Sequence, residues 1–157
     1  MKATFPVIAV LLVLATLTAS FTIATIVRGS PWSTVPILQL RNHGGVDNAQ
    51  LAQGQWWRLI TAQFVHVKQA HMLFTTAALF LLGVAVERTA GHLTLALVWL
   101  ISGIAGTYAS IYSDQPPYDI GSGGSQALMG VAAAALSSRG DALVLTRKFK
   151  RLLHTAD

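Results

Sequence analysis

The sequence contains no cysteine and very little charge, with only 11% of its residues Asp, Glu, Lys or Arg. The missing cysteine excludes disulfides and thiolate zinc sites. The charge deficit says more. A soluble domain carries about a quarter charged residues, so this chain is expected to have lipid as its solvent. Acidic residues are the scarcest, six against eleven basic ones, for a formal net charge of +5. A basic excess can signal nucleic acid, but here the basic residues stand at the ends of apolar runs. That is a membrane distribution, and no nucleic-acid partner is expected. No apolar run carries an acid or lysine at its middle, which weakens the reading as a small transporter subunit.

What is present is a series of apolar segments. Phe5 to Val27 is uncharged, long enough to cross a bilayer, and longer than the apolar part of a signal peptide, so it reads as a retained first span. Met72 to Val86 reaches spanning length if its helix begins near His66. Leu93 to Tyr112 is a third run. Ile120 to Ser138 is a fourth, rich in Gly, Ala and Ser and therefore expected to be an inner helix. The predicted architecture is an all-α, polytopic transmembrane helix bundle with four spans, about 5–27, 66–86, 93–112 and 120–138, forming one domain over 1–157. Ser102, Gly106 and Ser110 on the third segment, and Gly130, Ala134 and Ser138 on the fourth, repeat every four residues. Small residues at that spacing let membrane helices approach closely, so these two helices are expected to touch.

Charge sets the expected orientation. With the N-terminus inside, inner segments hold Lys2, Arg88, Arg139, Arg147, Lys148, Lys150 and Arg151, and outer ones Arg28, Arg41, Arg58 and Lys68, as the inside-positive rule favours. The basic tail 139–157 is then cytoplasmic, and is either an interfacial helix on anionic lipid or a solvated end. Membrane lipid is the one partner that composition implies.

The chemistry-bearing stretch is Gly123-Gly124-Ser125, after a loop with Pro116 and Pro117 and ahead of the apolar run Ala127 to Leu136. It presents a hydroxyl at a helix start, where free backbone N–H groups and the positive dipole end suit a developing oxyanion. Two readings are open: Ser125 is a nucleophile with Gly124 in an oxyanion turn, or Ser125 only caps the helix. His66 and His71 bracket the start of the second span. Their spacing of five places them about 140° apart on a helix, unlike the spacing of four in zinc-binding pairs, and no metal site is expected. His71 and Thr75, four apart, share a face. His43, His92 and His154 read as surface residues. Trp56, Trp57 and Arg58 suit the headgroup zone.

Taken in order, Gly54-Gln55-Trp56-Trp57-Arg58-Leu59-Ile60-Thr61, Phe64-Val65-His66, His71-Met72-Leu73-Phe74, Gly83 with Glu87-Arg88, Gly103, Gly106 and Gly123-Gly124-Ser125-Gln126-Ala127-Leu128-Met129-Gly130 resemble the rhomboid intramembrane serine proteases. The resemblance covers about residues 44–138. It implies a serine endopeptidase without cofactor, acting on transmembrane segments of membrane proteins, in a multi-pass protein of the bacterial inner membrane. By resemblance Ser125 is the nucleophile, His71 the oxyanion histidine and Thr75 a weaker oxyanion donor where the family commonly has Asn. Trp57, Arg58, His66, Glu87 and Arg88 match family motif positions. Gln126 stands where the family commonly has Gly after the serine. The family carries its general-base histidine on a later span, and no base is found in these four. The resemblance therefore leaves two expectations: a rhomboid protease core lacking its base helix, as in a truncated product, or a catalytically inactive relative that binds transmembrane clients.

Overall fold

A computed structural model describes residues 5–113 and 120–138. The expected basic tail, His154, Pro116 and Pro117 lie outside the described residues. The described residues form a helical bundle. Three helices carry it: α1 (Val7–Arg28), α5 (Gln69–Ala90) and α6 (His92–Ser113), each 22 residues long. Among the described residues these three are long and apolar enough to cross a membrane. At 1.5 Å per residue each spans about 33 Å, the thickness of a bilayer core. The fourth segment is helical over 125–138 and is designated α7.

Two boundaries differ from expectation for physical reasons. The second span starts at Gln69, not His66, because Val65 and Lys68 are extended and place His66 in the loop before the helix. The fourth helix starts five residues later than expected. Gly121 is tied to Val46 by a two-way backbone pair, with Gly121 N–H donating to Val46 O (2.7 Å) and Val46 N–H donating to Gly121 O (3.2 Å). A residue held in a bridge to a distant loop cannot also start a helix, so 120–124 is a turn.

The connection between α1 and α5 folds into short helices: α2 (Ile37–Leu40), a 3-10 turn (Arg41–His43), α3 (Asn48–Ala52), α4 (Arg58–Thr61) and a second 3-10 turn (Ala62–Phe64). Asp47 and Gln50 form a capping box on α3, and Arg41 pairs with Asp47. Arg58 holds this connection together through its guanidinium. Its Nη1 donates to Arg41 O (2.7 Å) and Gly45 O (2.9 Å), its Nε donates to Gln55 Oε1 (2.6 Å), and its guanidinium lies over Trp57, 4.6 Å from the ring centre. One planar cation thus ties three points of the loop together.

Within the bundle, Ala9, Leu79, Val86, Leu95, Trp99, Ala127, Val131 and Ala135 form the main core. The expected contact between the third and fourth segments is present. Gly106 lies against Gln126, where a Cβ would come within 2.5 Å of the Gln126 Cβ, and the Ser102 hydroxyl reaches the Ala127 carbonyl at 3.3 Å. At the opposite end of the bundle from His66, Glu87 is fully buried and accepts from the Ile8 and Ala9 amides (2.8 and 2.9 Å). It thereby satisfies two of the unpaired N–H groups that begin α1. His92, exposed as expected, contacts the same carboxylate, and Arg88 is exposed. Glu87→Ala is expected to destabilise the protein by about 2 kcal/mol, because it leaves two amides without an acceptor. Glu87→Gln, which keeps one oxygen acceptor, should cost less. Thermal unfolding in detergent checks the order, and a Glu87→Ala variant as stable as the parent would show that water replaces the carboxylate.

Candidate active site

The site lies where the loop before α5 meets the turn before α7. His66 is buried, 2% exposed. Its Nδ1 is 3.1 Å from the Ser20 hydroxyl of α1, and its Nε2 accepts from the Gly124 N–H at 3.4 Å, with the Thr75 hydroxyl also at 3.4 Å. His71, on the first turn of α5, is exposed, and its ring centre lies 5.9 Å from that of His66. Beside the two rings a cavity of about 170 Å³ is lined by His66, Val67, Lys68, His71 and Ser122.

The serine in that cavity is Ser122. Ser125, three residues on, is the first residue of α7, and its hydroxyl donates to Gln126 Oε1 at 3.1 Å. It does not line the cavity with His71. The signal that would have found Ser122 is its setting, Gly121-Ser122-Gly123, a serine between two glycines ahead of the helix. Gly123 adopts φ 90°, and a Cβ there would sit 3.3 Å from His66 Cδ2. Glycine is needed both for that backbone conformation and to let the turn pass over the imidazole.

The amides after Ser122 are engaged: Gly123 N–H donates to Ala62 O (2.7 Å) and Gly124 N–H to His66. Gly124 is therefore part of the turn but not a free oxyanion donor. Thr75 is buried, and its hydroxyl lies 3.1 and 2.9 Å from the His71 and Met72 carbonyls of its own helix. It faces a small inner cavity with Gln63, His66 and Gly124, away from the cavity that holds His71 and Ser122. Thr75 and His71 are four residues apart, yet one faces the interior and the other the surface. Among the described residues no cluster of His, Asp or Glu could hold a metal ion.

Burial, with a smaller contribution from the neighbouring His71, pushes the His66 pKa down to about 4, against a weaker upward pull from the Phe64 carbonyl. His66 is thus neutral at physiological pH. The unfolded chain takes up a proton on this residue near pH 6.5, and the folded chain only near pH 4. Stability is therefore full above about pH 7 and is lost as the pH falls from 6.5 to 4, by about 3 kcal/mol in total. Unfolding midpoints measured across that range should show the loss, and His66→Asn should flatten the curve; a parallel slope in the variant would assign the acid sensitivity elsewhere.

Together the fold and the site define a multi-pass integral membrane protein with a serine and two histidines at one end of its helix bundle. The Rhomboid domain model matches residues 53–153, and the chain belongs to the rhomboid family. It is 40% identical over 94 residues to rhomboid protease GluP of Bacillus subtilis (strain 168), covering 59% of this chain and 18% of that protein. It is 34% identical over 96 residues to rhomboid protease AarA of Providencia stuartii, covering 53% and 34%. It is 31% identical over 111 residues to the mitochondrial RHOMBOID-like protein 6 of Arabidopsis thaliana, covering 70% and 36%. The chain thus spans less than half the length of these relatives. No solved structure matches it.

Proposed function

We propose that this chain carries the nucleophile and oxyanion side of a rhomboid serine endopeptidase acting on transmembrane segments of membrane proteins, with Ser122 as the nucleophile. The observation that supports this reading is the shared cavity of Ser122 and His71. Ser122 is followed by a glycine, Gly123, as the family's serine commonly is; the motif match over Gly123 to Gly130 puts Ser125 at that position, and labelling decides between the two serines. The Ser122 Oγ attacks the scissile carbonyl carbon. The resulting oxyanion takes hydrogen bonds from the exposed His71 imidazole and from the Ser122 amide, the amides of Gly123 and Gly124 being engaged elsewhere. Collapse breaks the C–N bond, the leaving amine takes a proton, and water then hydrolyses the acyl ester.

Serine needs a base to take its proton. Both nitrogens of His66 are bound by Ser20 and Gly124, and His71 serves the oxyanion. His43 and His92 do not line the cavity, and we assign the base to a histidine outside residues 5–113 and 120–138. The inside-positive pattern supports placing the site toward the outer leaflet, in a cell membrane or in an organellar one.

A fluorophosphonate probe tests the reading. The 157-residue chain is expected to label weakly by itself, and strongly when a second polypeptide with two apolar spans and a histidine is supplied. Strong labelling of the chain alone would place the base among its own histidines, with His71 and His154 the candidates to substitute. No labelling in either case would favour a rhomboid-like protein that binds transmembrane clients, as the absence of an Asn at Thr75 would then suggest.

A further inference from the structure

One polar residue of α1 contacts the site without belonging to any motif of the sequence. Ser20 is buried, 1% exposed, on the face of α1 that also buries Thr16 and Ala24. Its hydroxyl lies 2.9 Å from the Phe64 carbonyl and 3.1 Å from His66 Nδ1. A carbonyl can only accept, so the single Ser20 proton is used there. The Ser20 oxygen must then accept from His66, which makes Nδ1 the protonated nitrogen. On the other side of the ring the Gly124 N–H points at Nε2, and requires a lone pair on it. Both ends of the ring demand the same tautomer, Nδ1–H with a bare Nε2. Thr75 does not conflict, because its hydroxyl proton is directed to the carbonyls of its own helix.

We infer that Ser20 is a positioning residue of the site: by accepting from Nδ1–H of His66 it holds the ring in the tautomer whose Nε2 anchors the Gly124 amide, and so fixes the turn that follows Ser122. The chain of contacts runs from the first membrane helix, through a buried neutral imidazole, to the turn that opens α7. Without the hydroxyl, Nδ1–H loses its acceptor or the ring tilts toward Phe64. Either change withdraws Nε2 from Gly124, where the contact at 3.4 Å is already long. Tautomer choice set by a partner at the far nitrogen is a general property of histidine.

The rate part of the test rests on the reading of Ser122 as the nucleophile; the spectroscopic part does not. In protein labelled with 15N at histidine and glycine, the parent His66 should show a protonated Nδ1 and an unprotonated Nε2. Ser20→Ala should give mixed tautomers and displace the Gly124 amide resonance. It should also slow probe labelling of Ser122 about tenfold, the worth of one lost hydrogen bond. Ser20→Thr, which keeps the hydroxyl, should restore the parent tautomer. A parent spectrum with Nε2–H, or a Ser20→Ala protein with unchanged His66 and Gly124 resonances, overturns the inference. A slower Ser20→Ala enzyme with an unchanged spectrum also overturns it, since the loss would then be one of packing. The expected spectra in a protein whose Ser122 never reacts would support the positioning contact and count against the protease reading.

Discussion

Ser122→Ala is expected to abolish both probe labelling and cleavage in any preparation that shows them, whereas Ser125→Ala should keep most of the activity. Loss of a serine nucleophile costs on the order of 10⁶ in turnover. Ser125 should matter far less: it opens α7 and its hydroxyl donates to the neighbouring Gln126 side chain, so its removal costs about 1 kcal/mol of stability. The pair separates the two serines cleanly, because they are three residues apart in sequence and only Ser122 lines the cavity with His71. Mass spectrometry of the labelled peptide reads the result directly. A probe adduct on Ser125, lost in Ser125→Ala and kept in Ser122→Ala, would reject the assignment.

His71→Ala should lower turnover by about 10² to 10³, the usual effect of losing one oxyanion donor, with little change in the unfolding temperature. The second half of that expectation follows from exposure: His71 stands at the protein surface on the first turn of α5, so truncation leaves no buried cavity. His66→Ala should show the opposite balance. It removes a buried ring and the acceptor of the Gly124 amide, and so should destabilise the protein as well as displace the nucleophile turn. Measuring turnover and melting temperature on both variants checks the division. Equal thermal losses for the two would mean that His71 is a packing residue.

Three of the apolar spans were legible because lipid demands about 20 apolar residues in a row, and that demand is one-dimensional. The contact between α6 and α7 was legible for a similar reason: small residues every four positions leave a groove whatever the loops do. The start of α5 was not, because nothing in Val65-His66-Val67-Lys68 breaks a helix locally. His66 leaves the helix to meet Ser20 and Gly124, which come from opposite ends of the chain. Which serine lines the histidine cavity was hidden on related grounds. Two serines follow glycines in Gly121 to Ser125, and local rules favour the one at the helix start. The bridge to Val46 keeps Gly121 out of the helix, and Ser122 lines the histidine cavity.

By itself the sequence determined the solvent, the helical class and the residue types of the site, since each follows from composition or from spacing along one element. Only the tertiary structure decided which serine meets which histidine, which amides are already bonded, and which ring is buried. Those depend on contacts such as Ser20 with His66, Val46 with Gly121 and Glu87 with Ala9. Hydrogen-bonding groups removed from water must find partners wherever the fold brings them, and sequence distance carries no trace of where that is.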